Sequence, residues 1–466
     1  MNNAVIDAAI CKRIVANNPE HELDSALIEF SQANCASQLL AIDFDCEEYW
    51  RDEKSLLPLT AIYRLQRQGD EIEVTATAIT RAFADRHWEN ICAEINSLDN
   101  YFAQLGEPLF DLNAPIRLQP IAIPKPWGQE IWYTGIEKRG MASVGEGAAA
   151  IPLPWLLAIA PQRLSAGGRQ PILLKILDPL AAPEFGDLYF ELHQEKQEVY
   201  IVTAVDRSTW PDGTGAIRFG FNTRLRSQYR DDRRFVADYL NAVARYREVR
   251  RDIDAQLDTI RQRERVGLND PVAAPTLRRW LDEIPTDLHR RERTLREAME
   301  AFTALRSLTI GDVVKVPCLV PHSLQHGVRT VEFQTPVYER LILSFAQKVL
   351  TQSDWDTERA AELLQLDPPA ELPFPKLTAG DGWVEQQIVR FDDFEVRRIT
   401  LQPDAIASIR VTAGYGLGMI VGSELMVNGQ SFAADTAALL PGAIRTLNIA
   451  NTTAAEAYFL LALPLV

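Results

Sequence analysis

Several things are scarce in this chain of 466 residues. It has five cysteines, Cys11, Cys35, Cys46, Cys92 and Cys318, an odd number, scattered and without Cys-x-x-Cys spacing. That argues against a disulfide framework. Basic residues are outnumbered: 48 Lys and Arg against 64 Asp and Glu leave a net charge of -16. Such a field repels phosphate backbones and anionic bilayers, so neither nucleic acid nor a membrane surface is expected as a partner. No apolar run is long enough to span a bilayer. The start, Met-Asn-Asn-Ala-Val-Ile-Asp, lacks the basic-then-apolar pattern of a secretory leader. The expectation is a soluble, cytoplasmic protein. An anionic substrate would need a local cluster of Lys and Arg working against the global charge.

What is present is an ordinary globular balance, 47% hydrophobic and 24% charged. Residues 1–115 read as a mixed α and β segment. Glu71 to Thr77 alternates like a strand, and Arg81 to Leu105 has helical spacing. The Pro-rich stretch Leu118 to Trp127 marks a boundary. Beyond it, short apolar runs at Trp155 to Ile159, Ile172 to Leu177, Leu188 to Leu192 and Val199 to Thr203 read as strands. They suggest a sandwich or barrel over 116–350, the domain that also carries the metal-ligand candidates given below, interrupted by helices at about 225–305. There the apolar positions Phe235, Tyr239, Val243, Tyr246, Val249, Ile253, Leu257 and Ile260 form a helical stripe. Asn269-Asp270-Pro271 breaks it. A second stripe follows at Leu288, Leu295, Met299, Phe302 and Leu305. The expectation is an antiparallel helical hairpin whose charges form a solvated face. A helix at Thr357 to Gln365 and a Pro-rich linker occupy 351–379. Residues 380–466 read as a second, smaller β-barrel, without histidine and so without a metal. The fold class is mainly β, with two barrels.

Histidine is also rare: His21, His87, His193, His289, His322 and His326. Three of these fall in two short segments flanking the helical insertion. In the first, Glu191-Leu-His193 places two donors on one side of a strand, and Glu198 follows across a tight turn. Carboxylate and imidazole at this spacing can converge on one divalent ion. The second, Gly311-x5-Pro317-x4-His322, brings a histidine to the start of a strand after a shaped turn. The metal ligands expected are therefore Glu191, His193, Glu198 and His322. His326 is assigned a supporting or structural place.

Together these segments resemble the two cupin motifs, which implies that the two barrels are of the cupin, jelly-roll type. The chain from about Ile121 onward resembles the type I phosphomannose isomerases. The pieces are Lys125-Pro-Trp-Gly128, Leu173-Leu-Lys175-Ile-Leu-Asp178, Glu191-Leu-His193-Gln-Glu-Lys196-Gln-Glu198, Val320-Pro-His322-Ser-Leu-Gln-His-Gly327 and Glu332-Phe-Gln334. The resemblance implies that Glu191 and His193 take the place of a Gln-x-His ligand pair. It puts a Lys-x-Glu on Lys196 and Glu198, a late histidine ligand on His322, and catalytic or substrate-binding cations on Lys175, Lys196 and Arg340. Glu191 stands where the family has Gln, and Gln194 where it has Pro. The implied cofactor is one divalent ion, zinc first, with manganese or iron(II) as alternatives. The implied reaction interconverts mannose 6-phosphate and fructose 6-phosphate, a small-molecule sugar phosphate being the partner. Glu332 and Glu195 are the candidate bases. For Lys196 the plainer alternative is a solvated turn lysine, and for Arg340 a surface ion pair. Two other functions stay open: another cupin enzyme such as a dioxygenase, or a non-catalytic carbohydrate-binding relative. The sequence is silent on oligomeric state.

Overall fold

The structure, a computed structural model, describes residues 10–33, 35–69, 71–367, 370 and 372–465. It is mainly β, and among the described residues no helix is long and apolar enough to cross a membrane. The chain gathers into two units. One comprises residues 1–121, 132–174 and 374–466, and the other 122–131 and 175–373.

In the first unit, five strands form a sheet in chain order: Ile10–Val15, Ser37–Glu47, Leu56–Gln68, Glu71–Thr80 and Phe110–Asp111. The first pair is parallel, the rest antiparallel. Helix Pro19–Gln32 connects the parallel pair, with Asn18 accepting from the His21 amide at its start. Leu39, Ala41, Ile62 and Ile79 pack against Ala84, Ile91, Leu98 and Phe102 in one core. The helical pattern of 81–105 is realised as Arg81–Ala93 and Leu98–Leu105, separated by a 3-10 turn at Ile95–Ser97.

The same unit holds a nine-stranded and a four-stranded sheet built largely from the C-terminal segment. Residues of both, such as Ile399, Phe459, Leu440, Ile409, Leu447 and Phe432, share a core. Two expectations change here. Strands Ile116–Gln119, Ser143–Glu146 and Ala149–Pro152, read from sequence as part of the metal-binding domain, extend the nine-stranded sheet through Ile116–Gln119 against Ala437–Pro441. Short alternating strands carry no sequence signal for their partner. The run Trp155 to Ile159, expected as a strand, belongs to helix Leu153–Ile159. A short apolar run cannot be told from a buried helical turn by periodicity.

The second unit faces two sheets across a common core. One runs Val313–Val316, Glu198–Val205, Val328–Gln334, Leu173–Pro179, Gly128–Trp132, Ile121–Lys125. The other runs Thr303–Leu308, Gly215–Phe221, His322–Leu324, Phe190–Leu192, Leu341–Ser344. Leu177, Tyr200, Val202 and Val328 of the first meet Ile217, Leu324 and Ile342 of the second. The Pro-Trp-Gly motif belongs to this construction. Gly128 has φ +146, and a Cβ there would overlap the Asp178 carbonyl, so the two backbones approach closely. The Leu180 amide donates to Trp127 O at 2.9 Å.

The helical insertion departs from a two-helix hairpin. After a single turn at Thr223–Arg226 comes one 32-residue helix, Asp232–Arg263, then Ala274–Leu281 and Thr286–Glu300. Every residue of the first predicted stripe is buried. The second stripe overruns. Its last member, Leu305, is exposed on strand Thr303–Leu308, which pairs with Gly215–Phe221. Sheet pairing outweighs a helical spacing that the sequence carries past the end of the helix. Helix Thr357–Leu363 forms as expected. The linker Leu366 to Lys376 lies partly outside the described residues.

Candidate metal centre

Alternation on a short strand decides which side chains enter the site. Phe190 and Leu192 of strand Phe190–Leu192 pack against Phe235, Tyr239 and Val243 of the long helix. Glu191, between them, therefore projects from the opposite face, as does His193 two residues on. On the neighbouring strand, His322 stands directly opposite Glu191 in antiparallel register. Residues so paired have Cβ atoms about 5 Å apart. Glu198 comes from the other sheet, where it opposes Val316 and Gln334.

The turn joining His193 to Glu198 is held from several sides. The Glu339 carboxylate accepts from the Gln194 and Glu195 amides at 2.8 and 3.3 Å. Thr335 Oγ1 accepts from the Gln197 amide at 3.2 Å. The His193 carbonyl accepts from the Leu319 amide at 2.7 Å. Leu319 sits at φ +67, a left-handed conformation that costs a leucine about 1 kcal/mol or more. Its carbonyl in turn accepts from the Gln365 amide at 2.8 Å. Thus the turn before His322 is tied to the turn after His193.

Ligand atoms of Glu191, His193 and His322 lie within 4.8 Å of one another. Glu198 touches both rings, its Oε1 3.5 Å from His193 Nε2 and its Oε2 3.2 Å from His322 Nε2. It is also engaged by cation and hydroxyl: Lys196 Nζ lies 2.5 Å from Oε1, and the Tyr200 hydroxyl donates to Oε2 at 2.6 Å. Burial opposes its ionisation, but the Lys196 charge leads the groups that outweigh it and hold Glu198 well below the usual carboxylate range. Burial, then the nearby Lys196 charge, push His193 down, favouring the neutral imidazole.

The donor set fits a metal ion. His322 Nδ1 donates to the Val320 carbonyl at 3.0 Å, which fixes the tautomer and leaves Nε2 as a bare lone pair. His322 Nε2, both ring nitrogens of His193 and Glu191 Oε2 are buried without hydrogen-bond partners. Each such group costs about 1–3 kcal/mol unless something satisfies it. Lone pairs converging from two imidazoles and the Glu191 carboxylate are satisfied together by a cation; Glu198, whose oxygens already meet Lys196 and Tyr200, stands beside that group of three.

The other expected residues lie around this cluster. Lys175 is buried, its ammonium 3.3 Å from Glu332 Oε2 and 3.8 Å from Glu130 Oε1. Burial opposes its charge, but Glu130 and Glu332 raise its pKa and keep it an ammonium. Glu332, at 1% exposure, is pushed well above the usual carboxylate value by burial, with Lys175 opposing. Arg340 stacks 4.5 Å from the centre of the Tyr189 ring and donates to Thr351 Oγ1 at 2.5 Å. Burial opposes its charge, and Glu191 with Tyr189 and Glu130 outweighs it. Lys196 is buried rather than a solvated turn lysine. Of the two candidate bases, Glu195 is exposed on the turn and Glu332 is buried. His326 is structural: Asp187 Oδ1 accepts from its Nδ1 at 2.7 Å and its amide at 2.9 Å, and its ring stacks on Trp210.

Three residues escaped the sequence reading. Tyr200 shares a strand face with Glu198 two residues earlier, so alternation could have found it. Glu130 follows the Pro-Trp-Gly motif and pairs with Lys125 at 3.1 Å as well as facing Lys175. Glu339 had no signal, since its partners are backbone amides distant in sequence.

No protein-family profile matches the chain, and no curated protein sequence matches it. Solved structures do. The mannose 6-phosphate isomerase from Bacillus subtilis has a TM-score of 0.52 at 12% identity, covering 75% of this chain and 99% of that one. A phosphomannose isomerase variant from Salmonella typhimurium has a TM-score of 0.48 at 12% identity, covering 76% and 100%. A mannose 6-phosphate isomerase bound with zinc and yttrium has a TM-score of 0.47 at 12% identity, covering 76% and 100%. At such identity the likeness to the Bacillus subtilis enzyme is one of fold: this chain has a mainly β, multi-sheet fold similar to that of a mannose 6-phosphate isomerase.

Proposed function

We propose that the chain is a metal-dependent isomerase of sugar phosphates, interconverting an aldose and a ketose, with mannose 6-phosphate and fructose 6-phosphate as the pair. The observation that carries this reading is the cluster of buried lone pairs without hydrogen-bond partners on Glu191, His193 and His322. Glu191, His193, Glu198 and His322 would hold one divalent ion. Zinc suits this mixed nitrogen and oxygen set, and the two carboxylates also accommodate manganese or iron(II). When bound, such an ion polarises substrate oxygens and stabilises negative charge developing on them.

The chain's own groups supply the rest. The carboxyl groups of Glu130, Glu191, Glu198 and Glu332 lie among the cations Lys125, Lys175, Lys196 and Arg340. A divalent ion adds two positive charges, which a phosphate dianion can neutralise. Lys196 and Lys175 bind substrate oxygens as charged donors, and Arg340 offers a planar fork suited to phosphate. Glu332 carries the proton between the adjacent carbons. Burial raises its pKa, bringing it nearer the range where a carboxyl both gives and takes a proton. Lys175 holds Glu332 in place through their 3.3 Å contact.

A coupled assay on a small panel of aldose phosphates tests this. Turnover of mannose 6-phosphate that disappears with a chelator and returns with metal is expected. A metal-replete protein inert on the whole panel would sink the isomerase reading. One observation favours a second reading. Two imidazoles and one carboxylate, the set within 4.8 Å, are also the donor types of non-haem iron(II) oxygenases. Oxygen uptake by the iron(II)-loaded protein, without isomerisation, would favour that alternative.

A further inference from the structure

We infer that Lys196 is a built-in competitor of the metal for Glu198, so that metal uptake and release of the Lys196 ammonium toward the substrate are one event. The inference rests on the metal reading above and deepens it. Lys196 Nζ lies 2.5 Å from Glu198 Oε1, and both residues are buried. The same oxygen is the one nearest His193, at 3.5 Å from Nε2. The second oxygen already takes the Tyr200 hydroxyl at 2.6 Å and lies 3.2 Å from His322 Nε2. Glu198 therefore has no idle oxygen. A metal bond through Oε1 would share that oxygen with the ammonium, and two cations that close repel strongly in a buried site.

Displaced from Glu198, a buried ammonium needs another acceptor, because leaving it unpaired is costly. The oxygens of an anionic substrate in the same space provide one. The protein without metal thus keeps Lys196 neutralised by Glu198. The loaded protein presents both a cation at the ligand set and a released ammonium beside it. Lys196 acts here through Glu198, as a positioning residue of the ligand set, until substrate arrives.

Zinc titration of the full chain by calorimetry, against a competing chelator, separates the possibilities. Lys196→Met is expected to bind zinc roughly tenfold tighter or more than wild type. Equal or weaker affinity would overturn the inference, the weaker result meaning that Lys196 orients Glu198 rather than competing for it. A second measurement uses wild type alone, so it survives a poorly folding variant. Crystal structures with and without zinc should show Nζ moving beyond hydrogen-bond distance of Glu198 Oε1 on loading. An ammonium still hydrogen-bonded to Oε1 in the loaded protein overturns the inference while leaving the metal reading intact. Absence of zinc uptake by both wild type and Lys196→Met removes the metal reading and the inference together.

Discussion

The Val320 carbonyl does for His322 what its neighbours in the site do not do for His193: it fixes one ring nitrogen as a donor and so leaves the other as a lone pair. That asymmetry makes His322 the better single test of the centre. His322→Ala is expected to lose stoichiometric metal, with affinity falling about 10- to 100-fold or more, read by elemental analysis after dialysis. Full retention of metal would refute the ligand assignment. Glu332→Gln has a different signature, because Glu332 is given the proton rather than the metal. Its kcat should fall about 10²- to 10⁴-fold with metal content unchanged. His193 and His322 were legible in the sequence because strand alternation and turn residues leave fixed spacings. The partners of Lys175 were not, since a carboxylate on a neighbouring strand has no fixed distance along the chain. Asp187 illustrates a further residue-scale effect. Burial opposes its ionisation, but His326 outweighs burial and lowers its pKa. A depressed folded-state pKa means the stabilisation is complete above about pH 4, the ordinary aspartate value, and fades as pH falls below it. Asp187→Asn should lose about 1–3 kcal/mol of stability at pH 7. Its deficit relative to wild type should shrink in acid, measured by denaturant unfolding at pH 7 and pH 3. A deficit that grows toward pH 3 would contradict the pairing.

At the scale of elements, the long helix Asp232–Arg263 was the most legible part of the chain. Eight apolar positions at helical spacing all became buried, because a long stripe can be buried only against one face. The strand Thr303–Leu308 was not legible, as it inherits a helical spacing and owes its conformation to pairing with Gly215–Phe221. The helix matters to function because it backs the strand that carries Glu191. Two tyrosines on it give opposite predictions. The Tyr239 hydroxyl is fully buried without a hydrogen-bond partner, whereas that of Tyr246 donates to Glu292 Oε1 at 2.9 Å. Tyr239→Phe should be neutral or stabilising by up to about 1 kcal/mol, and Tyr246→Phe destabilising by about 1–3 kcal/mol, since it leaves a buried carboxylate short of a donor. Thermal unfolding of the two variants side by side decides the matter. A large loss for Tyr239→Phe would mean that its hydroxyl is satisfied after all.

For the molecule as a whole, sequence showed the β character and the helical interruption, but not the partition of strands. Ile116–Gln119 pairs with Ala437–Pro441 across more than half the chain, and nothing in either tetrad or pentad specifies the other. Long-range pairing is settled by which faces can be buried together, a property of the assembled core. That partition makes a prediction about metal removal. All four expected ligands belong to the unit formed by residues 122–131 and 175–373, and they draw on both of its sheets. A cation bound by the folded site and not by the unfolded chain stabilises that unit by mass action, about 2.7 kcal/mol at a hundredfold excess over Kd. Its removal restores the cost of the lone pairs on Glu191, His193 and His322 within the same unit. Chelation should therefore speed amide hydrogen exchange in Phe190–Leu192, Glu198–Val205 and His322–Leu324, the strands that carry the ligands. Strands Ser37–Glu47 and Leu56–Gln68 of the other unit serve as an internal reference and should exchange at unchanged rates. Exchange that rises equally in both units, or in neither, would show that the cluster of lone pairs is not what a metal ion stabilises.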